Sequence, residues 1–317
     1  MFDGVNRVPL ILDVDTGIDD GVAIALALAD PRAEVVAITT LAGNINVEMA
    51  TANTLRVLHF LGADKIPVHR GASKPLVREL RDAQYFHGRD GLGEPDLLPF
   101  ERPLGADRGP AAIIRLARQR PGELTLVCQG PLTNLAIALN VAPELPRLLK
   151  SIVVMGGSFT VAGNTTAHAE FNVFADPEAA VEVFNSGAPN LTVIGLDVTH
   201  QVAMPRSVWE AGATSENISA QLISKLCAWV WTGHRREAMF LHDPLAVAVA
   251  IEPSLVVCAD RSISVSCLEG NRGETRAERT GPIKVAHSVD VERFLQEFAG
   301  LLGLDPIPAN ATDLKPM

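Results

Sequence analysis

Basic patches are missing from this 317-residue chain: 27 Lys and Arg stand against 37 Asp and Glu, a formal net charge of −10. Such a balance argues against nucleic acid or an anionic membrane as partner. No apolar run is long enough to span a membrane, and the N-terminus lacks the basic-then-apolar pattern of a secretory signal. Cysteine is scarce. Cys128, Cys227, Cys258 and Cys267 show no Cys-x-x-Cys spacing and read as reduced thiols, mostly in the core, of a cytoplasmic protein. Internal repeats, low-complexity blocks and linkers are absent as well, so the whole chain, 1–317, reads as one domain. With 47 % hydrophobic and 20 % charged residues, its composition is that of an ordinary soluble globular protein with a sizeable core.

What the chain does have is an acidic cluster near its start. The apolar run Val8–Leu12, broken only by Pro9, reads as a buried parallel strand that ends in carboxylates. Asp13 and Asp15 are two residues apart, so strand geometry sends both to one face. Thr16-Gly17 turns the chain, and Asp19 and Asp20 open a helix running through Ala23, Leu26 and Ala27. Acidic residues suit a helix N-terminus, yet that gain is small beside the crowding. Like charges ~4 Å apart repel by about 1 kcal/mol in water and about 4 kcal/mol at an effective dielectric of about 20. No Lys or Arg lies between Arg7 and Arg32, so a cation is the best local counterweight. Oxygen ligands alone point to Ca²⁺ or Mg²⁺ rather than Zn²⁺.

Apolar strands and periodic helices then alternate. Strand Glu34–Thr40 precedes helix Val47–Leu61 and strand Ile66–His69. After an irregular stretch from Gly71 to about Asp107 come helix Pro110–Arg120, strand Leu124–Cys128, helix Leu132–Val141 and strand Ser151–Met155. A second irregular stretch, Gly156–Ala175, leads to helix Pro177–Asn185 and strand Leu191–Leu196. Ser215–Met239 reads as one helix ahead of His242-Asp243-Pro244. Strands near Leu255–Val257, Ile263–Ser266 and Ile283–Ala286, and a helix from about Asp290 to Leu302, complete the order. This alternation predicts an α/β fold, a mostly parallel open sheet flanked by helices, as a Rossmann-like core with right-handed crossovers. Its functional site belongs at the carboxyl ends of the strands. Residues from about 303 to 317 read as a loosely held, irregular tail.

Polar residues that packing does not require follow these strands. Asn44, in Gly43-Asn44, suits a plain turn as well as a site. His87-Gly-Arg-Asp-Gly-Leu-Gly93 sits in the first irregular stretch, where glycines allow a mobile cover; His87 is either a surface histidine or part of a site. Gln129-Gly-Pro-Leu-Thr-Asn134 follows Cys128 and starts a helix through Gly130-Pro131. Met155-Gly-Gly leads to Asn164, to Glu170-Phe171-Asn172 and to Asp176-Pro177. Amides donate and accept, and an ionised carboxylate accepts, so two Asn and one Glu suit a ligand that offers hydroxyls. Asp176 suits a helix cap. Asp243, ahead of Pro244, would read as another cap if it stood alone. Trp209, Trp229, Trp231 and Phe240 offer rings for stacking, though such residues at helical spacing are more often core.

Asp13-Val-Asp-Thr-Gly-Ile-Asp-Asp20 resembles the N-terminal fingerprint of the inosine–uridine-preferring nucleoside hydrolase family, Asp-x-Asp-Pro-Gly-x-Asp-Asp. Thr16 departs from it at the proline, which alters loop stiffness but removes no carboxylate. Gly43-Asn44, His87-Gly-x-Asp-Gly-Leu-Gly93, Met155-Gly-Gly with Asn164, Glu170-Phe171-Asn172 and Asp176-Pro-Glu-Ala-Ala180, and His242-Asp-Pro244 are similar to family segments in the same order. Gln129 stands where the family frequently has Thr, at a backbone-carbonyl ligand that is indifferent to side chain.

The resemblance implies a Ca²⁺-dependent ribonucleoside hydrolase, turning a nucleoside and water into ribose and free base. It implies Asp15, Asp20, Asp243 and the Gln129 carbonyl as Ca²⁺ ligands, Asp15 also as general base, and His242 as the group that protonates a purine leaving base. Asp19 would accept from the ribose 2′-hydroxyl, and Asn44 would hold the attacking water or the sugar ring. Asn164 and Glu170 would meet the 5′-hydroxyl and Asn172 the 2′,3′ side, while His87, Met155 and Phe171 would line the rest of the pocket. Asp13 would support its neighbours from behind. The implied partner is a small-molecule ribonucleoside, and the implied assembly a homodimer or homotetramer. Two other readings stay open. A Mg²⁺-dependent aspartyl-phosphate phosphatase on Asp13 and Asp15 would need a downstream Lys and a phosphate-gripping Ser or Thr, and Gly17 departs from the Thr or Val of the haloacid-dehalogenase phosphatases. A non-catalytic Ca²⁺-dependent nucleoside or ribose binder would use the same residues without turnover.

Overall fold

The computed structural model describes residues 7–313. Six strands occupy the first two-thirds of the chain: β1 (Val8–Val14), β2 (Ala33–Thr40), β3 (Val68–Arg70), β4 (Thr125–Cys128), β5 (Ser151–Met155) and β6 (Leu191–Ile194). A ribbon of β7 (Ala203–Pro205) and β8 (Ala238–Phe240) follows, then β9 (Val256–Arg261), a second ribbon of β10 (Ile263–Val265) and β11 (Thr275–Ala277), and β12 (Ile283–Val289).

The central sheet has the order β3-β2-β1-β4-β5-β6-β12-β9. Every pair in it is parallel except β12 with the edge strand β9. The chain winds outward from β1 to β3 and then returns to β4 on the other flank of β1. That reversal opens a crevice beyond the carboxyl ends of β1 and β4, where open α/β sheets bind ligands. Asp15 follows β1 there, and Gln129 follows β4.

Both faces of β1 are covered, which is why it reads as continuously apolar. Leu10, Leu12 and Val14 pack with helix α1 (Ile18–Ala29) and with helices Ile218–Thr232, His242–Ile251 and Val291–Leu302. Ile11 faces the opposite layer, with helices Gly109–Gln119, Thr133–Val141 and Pro177–Phe184. Leu10, Ile11 and Leu12 are wholly buried, contributing roughly 1.5–3 kcal/mol each.

Departures from the sequence reading have local causes. Asn217 caps helix Ile218–Thr232, its side chain accepting from the Ser219 and Ala220 N–H groups. The chain then turns through Arg235 at φ +55°, and β8 runs back antiparallel to β7. The single helix expected over Ser215–Met239 is therefore a helix, a turn and a strand. Strand β3 begins at Val68 rather than Ile66, since Pro67 cannot donate to a ladder. Ile263–Val265 pairs with β11 outside the central sheet. Glu170 caps a helical turn, Phe171–Ala175, inside the expected irregular stretch, and Gln84–His87 forms another inside Gly71–Asp107. Part of the expected tail is packed: Ile307 and Ala311 are buried, while residues 314–317 lie outside the described residues. All four cysteines are free; Cys128 and Cys227 are buried, Cys258 and Cys267 half-buried. Among the described residues no helix is long and apolar enough to cross a membrane.

Candidate active site

Beyond β1 the chain turns through Asp15-Thr16-Gly17 into α1. Asp20, in the first turn of α1, reaches back to accept from Gly17 N at 2.9 Å and Asp15 N at 3.2 Å. Such a return contact stabilises the helix start, and the helix dipole favours the charge. Asp15 is held from the side, its Oδ2 accepting from Asn44 N at 2.6 Å. Its Oδ1 is buried without a partner. Two glycines make room for this carboxylate: a Cβ on Gly43 would stand 2.1 Å from Asp15 Oδ2, and one on Gly130 2.8 Å from Oδ1. Thr16 hydrogen-bonds Thr54 Oγ1 at 2.7 Å, a restraint on the loop where the fingerprint has a proline ring.

Asp243 reaches the same spot from the start of helix His242–Ile251. Carboxylate oxygens of Asp19, Asp20 and Asp243 lie within 4.8 Å of one another, and Asp19 and Asp243 are in hydrogen-bond reach. The three differ from the ligand set drawn from sequence, which held Asp15 and placed Asp19 on the sugar; Asp15 adjoins the group through its N–H on Asp20. Burial raises the pKa of Asp15, and the Asp20 charge raises it further. Asp243 is lifted by burial and then by Asp19, Asp20 and Asp15. Asp20 is raised by burial against the N–H groups that hold it. Carboxylates so crowded hold either protons or a cation. An all-oxygen donor set with an orphaned buried Asp15 Oδ1 fits a hard divalent ion.

Asp13 braces the floor. It accepts from Thr39 Oγ1 at 2.5 Å and Asn134 Nδ2 at 2.7 Å, and burial still lifts it to about 7. Asn134 also donates to Thr40 O and accepts from Ala72 N, tying β1, β2 and the following loop together.

A cavity of about 420 Å³ opens over the cluster, within the usual range of small-molecule sites. Its wall brings together Asp19, Asn44, His87, Gln129, Met155, Asn164, Glu170, Phe171, Asn172, His242 and Asp243. Asp15 and Asp20 are fully buried behind that wall, joined to it by Asn44, whose Nδ2 donates to Asp20 at 3.2 Å. Glu170 accepts from the N–H groups of Gly157, Asn172 and Val173, so it is a helix cap as well as a wall residue. Asn172 Nδ2 donates to the carbonyls of Gln129 at 2.7 Å and Met155 at 3.2 Å. Asn164 Oδ1 accepts from Phe171 N at 2.9 Å. Asp176 stays outside the wall and caps helix Pro177–Phe184, as its sequence context suggests. His87 Nδ1 accepts from Ile18 N at 3.1 Å, pinning the first irregular stretch to the start of α1. Burial, helped by nearby His234, lowers His87 to about 3, consistent with a neutral ring that accepts at Nδ1.

A family profile described as inosine-uridine preferring nucleoside hydrolase matches residues 10–296. The chain belongs to this family. As a nucleoside hydrolase it is an N-glycosyl hydrolase, which sets aside the phosphatase and the non-catalytic binder. It is 39 % identical to the non-specific ribonucleoside hydrolase RihC of Shigella boydii over 308 residues, 94 % of this chain and 99 % of that one. The "Probable uridine nucleosidase 2" of Arabidopsis thaliana is 37 % identical over 276 residues, 85 % of each chain. Among solved structures, the plant nucleoside hydrolase PpNRh1 superposes with a TM-score of 0.90 at 34 % identity, across 95 % of this chain and 100 % of that one.

The rest of the cavity wall is where this nucleoside hydrolase was least legible. Tyr85, Phe86, His200, Val230, Arg236 and Met239 line the wall with Phe240. The tryptophans do not. Trp209 is buried in the core, Trp229 Nε1 donates to Phe86 O at 2.9 Å, and Trp231 lies under Arg206 at 3.7 Å. Phe86 carries Arg236 at 5.1 Å and stacks on His234 at 4.8 Å. The His200 ring lies 4.6 Å from Phe240 and 5.6 Å from His242. Burial lowers His242 to about 3, with the charges of His200 and Arg236 adding to the effect. His200 follows a sheet strand, the signal that exposed the other site residues and could have exposed this one. Phe86 sits on the short helical turn Gln84–His87 and Arg236 on a loop, neither with a marking pattern.

Proposed function

We propose that this nucleoside hydrolase cleaves ribonucleosides with Ca²⁺ as its resident ion, held by Asp15, Asp20, Asp243 and the Gln129 carbonyl. The observation that carries this reading is the convergence of Asp19, Asp20 and Asp243 beside the unpaired Asp15 Oδ1. When bound, the ion acidifies a water and fixes the ribose diol. Asp15 is the general base: Asn44 N restrains one oxygen, which leaves Oδ1 to take the proton of the attacking water. Asp19, in the cavity wall, accepts from the 2′-hydroxyl. Asn164 and Glu170 meet the 5′-hydroxyl, Asn172 the 2′,3′ side, and Asn44 the water or ring. His87, Met155 and Phe171 close the pocket around the sugar. As the C1′–N bond breaks, positive charge gathers on the ribose, and the surrounding carboxylates and amide oxygens stabilise it. His242 faces the leaving base and supports the charge that collects on it. Four free thiols fit a reducing compartment, which supports a cytoplasmic enzyme; assembly as a homodimer or homotetramer rests on the family resemblance.

Ribose release from a panel of purine and pyrimidine ribonucleosides, with and without chelator, tests the reading. Release that chelator stops is expected; no release from any of them refutes it. A 2′-deoxynucleoside loses a contact to the ion and to Asp19, so its kcat/KM is expected to fall about a hundredfold or more. Comparable values would refute diol recognition. His242→Ala is expected to lower kcat on inosine by about 10²-fold or more while sparing p-nitrophenyl riboside, whose leaving group needs no help. Equal losses on both would reject its leaving-group role.

A further inference from the structure

We propose that Thr199 is a positioning residue that fixes the tautomer of His242, so that the imidazole presents Nε2–H to the leaving base as a hydrogen-bond donor. The inference rests on the leaving-group reading of His242 and specifies its chemistry.

Strand β6 ends at Ile194, and one helical turn, Leu196–Thr199, follows it. Thr199 is wholly buried, and its Oγ1 lies 2.7 Å from His242 Nδ1. Two arrangements fit that distance. In one, Nδ1–H donates to the hydroxyl, and the hydroxyl hydrogen must then find another acceptor. Among the described residues the Thr199 hydroxyl has no hydrogen-bond partner but His242. A buried O–H left without an acceptor costs about 1–3 kcal/mol. In the other arrangement the hydroxyl donates to an unprotonated Nδ1, and neither group is left wanting. The single proton of the neutral ring then sits on Nε2. That nitrogen has no partner among the described residues, and His242 lines the cavity.

A neutral imidazole that gave up its Nε2 proton outright would become an imidazolate. The tautomer therefore assigns His242 a hydrogen bond, not a full proton transfer. The departing base keeps the electron pair of the C1′–N bond, Nε2–H bonds the nitrogen or oxygen where that charge collects, and water in the open cavity supplies the proton afterwards. A neutral histidine acting as an electrophile is an established catalytic device.

Nitrogen-15 NMR of the His242 ring in the wild-type enzyme, assigned by its loss in His242→Ala, reads the tautomer directly. The proton is expected on Nε2; a proton on Nδ1 overturns the proposal without any Thr199 variant. Thr199→Val keeps the shape and deletes the hydroxyl. It is expected to mix the tautomers and lower kcat on inosine about tenfold, with KM little changed and p-nitrophenyl riboside within about twofold of wild type. Thr199→Ser is expected to restore both the spectrum and the inosine rate. An unchanged ratio of inosine to p-nitrophenyl riboside rates in Thr199→Val overturns the proposal. Equal loss on both substrates in His242→Ala would instead sink the leaving-group reading beneath it, a failure the wild-type spectrum does not depend on.

Discussion

Asp15→Asn is expected to lower kcat by about a thousandfold or more and to leave the fold intact. The substitution is nearly isosteric. An amide oxygen can still accept from Asn44 N, as Asp15 Oδ2 does at 2.6 Å, so the turn between β1 and α1 keeps its restraint. What disappears is the basic oxygen at the unpaired Oδ1 position and one charge of the cation site. General-base loss alone accounts for about 10²–10⁴-fold, and weaker ion binding adds to it. The metal-free variant should be no less stable than wild type, because burial and the Asp20 charge both oppose an ionised Asp15. Thermal unfolding beside single-turnover kinetics checks both halves. Near-normal turnover by a folded variant removes Asp15 as the base.

Stripping the ion is expected to abolish turnover and to lower Tm, by an amount that grows with pH. Burial raises Asp15, Asp20 and Asp243 above their ordinary range and lifts Asp13 to about 7. The folded pKa values exceed the unfolded value of about 3.9. The metal-free fold therefore binds more protons than the unfolded chain between these limits. The stability these groups contribute is fully present below about pH 4 and is lost as pH rises through their raised folded values, about 7 for Asp13. A divalent ion neutralises the oxygens of Asp15, Asp20 and Asp243 when they are ionised and competes with protons when they are not. The Tm gain on adding Ca²⁺ should thus be larger at pH 8 than at pH 5. Equal gains at both would mean that the ion does not sit on these carboxylates.

Which parts were readable in advance follows from how local each signal is. The parallel sheet and its flanking helices were legible because β1, β2, β4 and β5 are short apolar runs separated by periodic segments. Asp15, Asp20, Asn44 and Gln129 were legible because polar residues just past such strands have no packing role. Asp19 lines the cavity, and its proximity to Asp243, which the sequence reading did not anticipate, depends on how helix His242–Ile251 docks against α1, a contact far apart in sequence. The β7–β8 ribbon stayed hidden because β8 is only three residues long and its partner Ala203–Pro205 lies far off in sequence; the polar run Thr232–Glu237, where Arg235 takes φ +55°, was the break that marked the turn. The tryptophans stay out of the cavity wall, in keeping with core volume being their commoner use at helical spacing, and Phe86 and Phe240 line it from a helical turn and a ribbon strand.

A structure of the enzyme with calcium added, with the ion located by its anomalous scattering, tests the account at its root. One ion is expected within about 2.3–2.6 Å of oxygens from Asp15, Asp20 and Asp243 and of the Gln129 carbonyl. An ion held elsewhere, or these carboxylates left to share protons in saturating calcium, would contradict it.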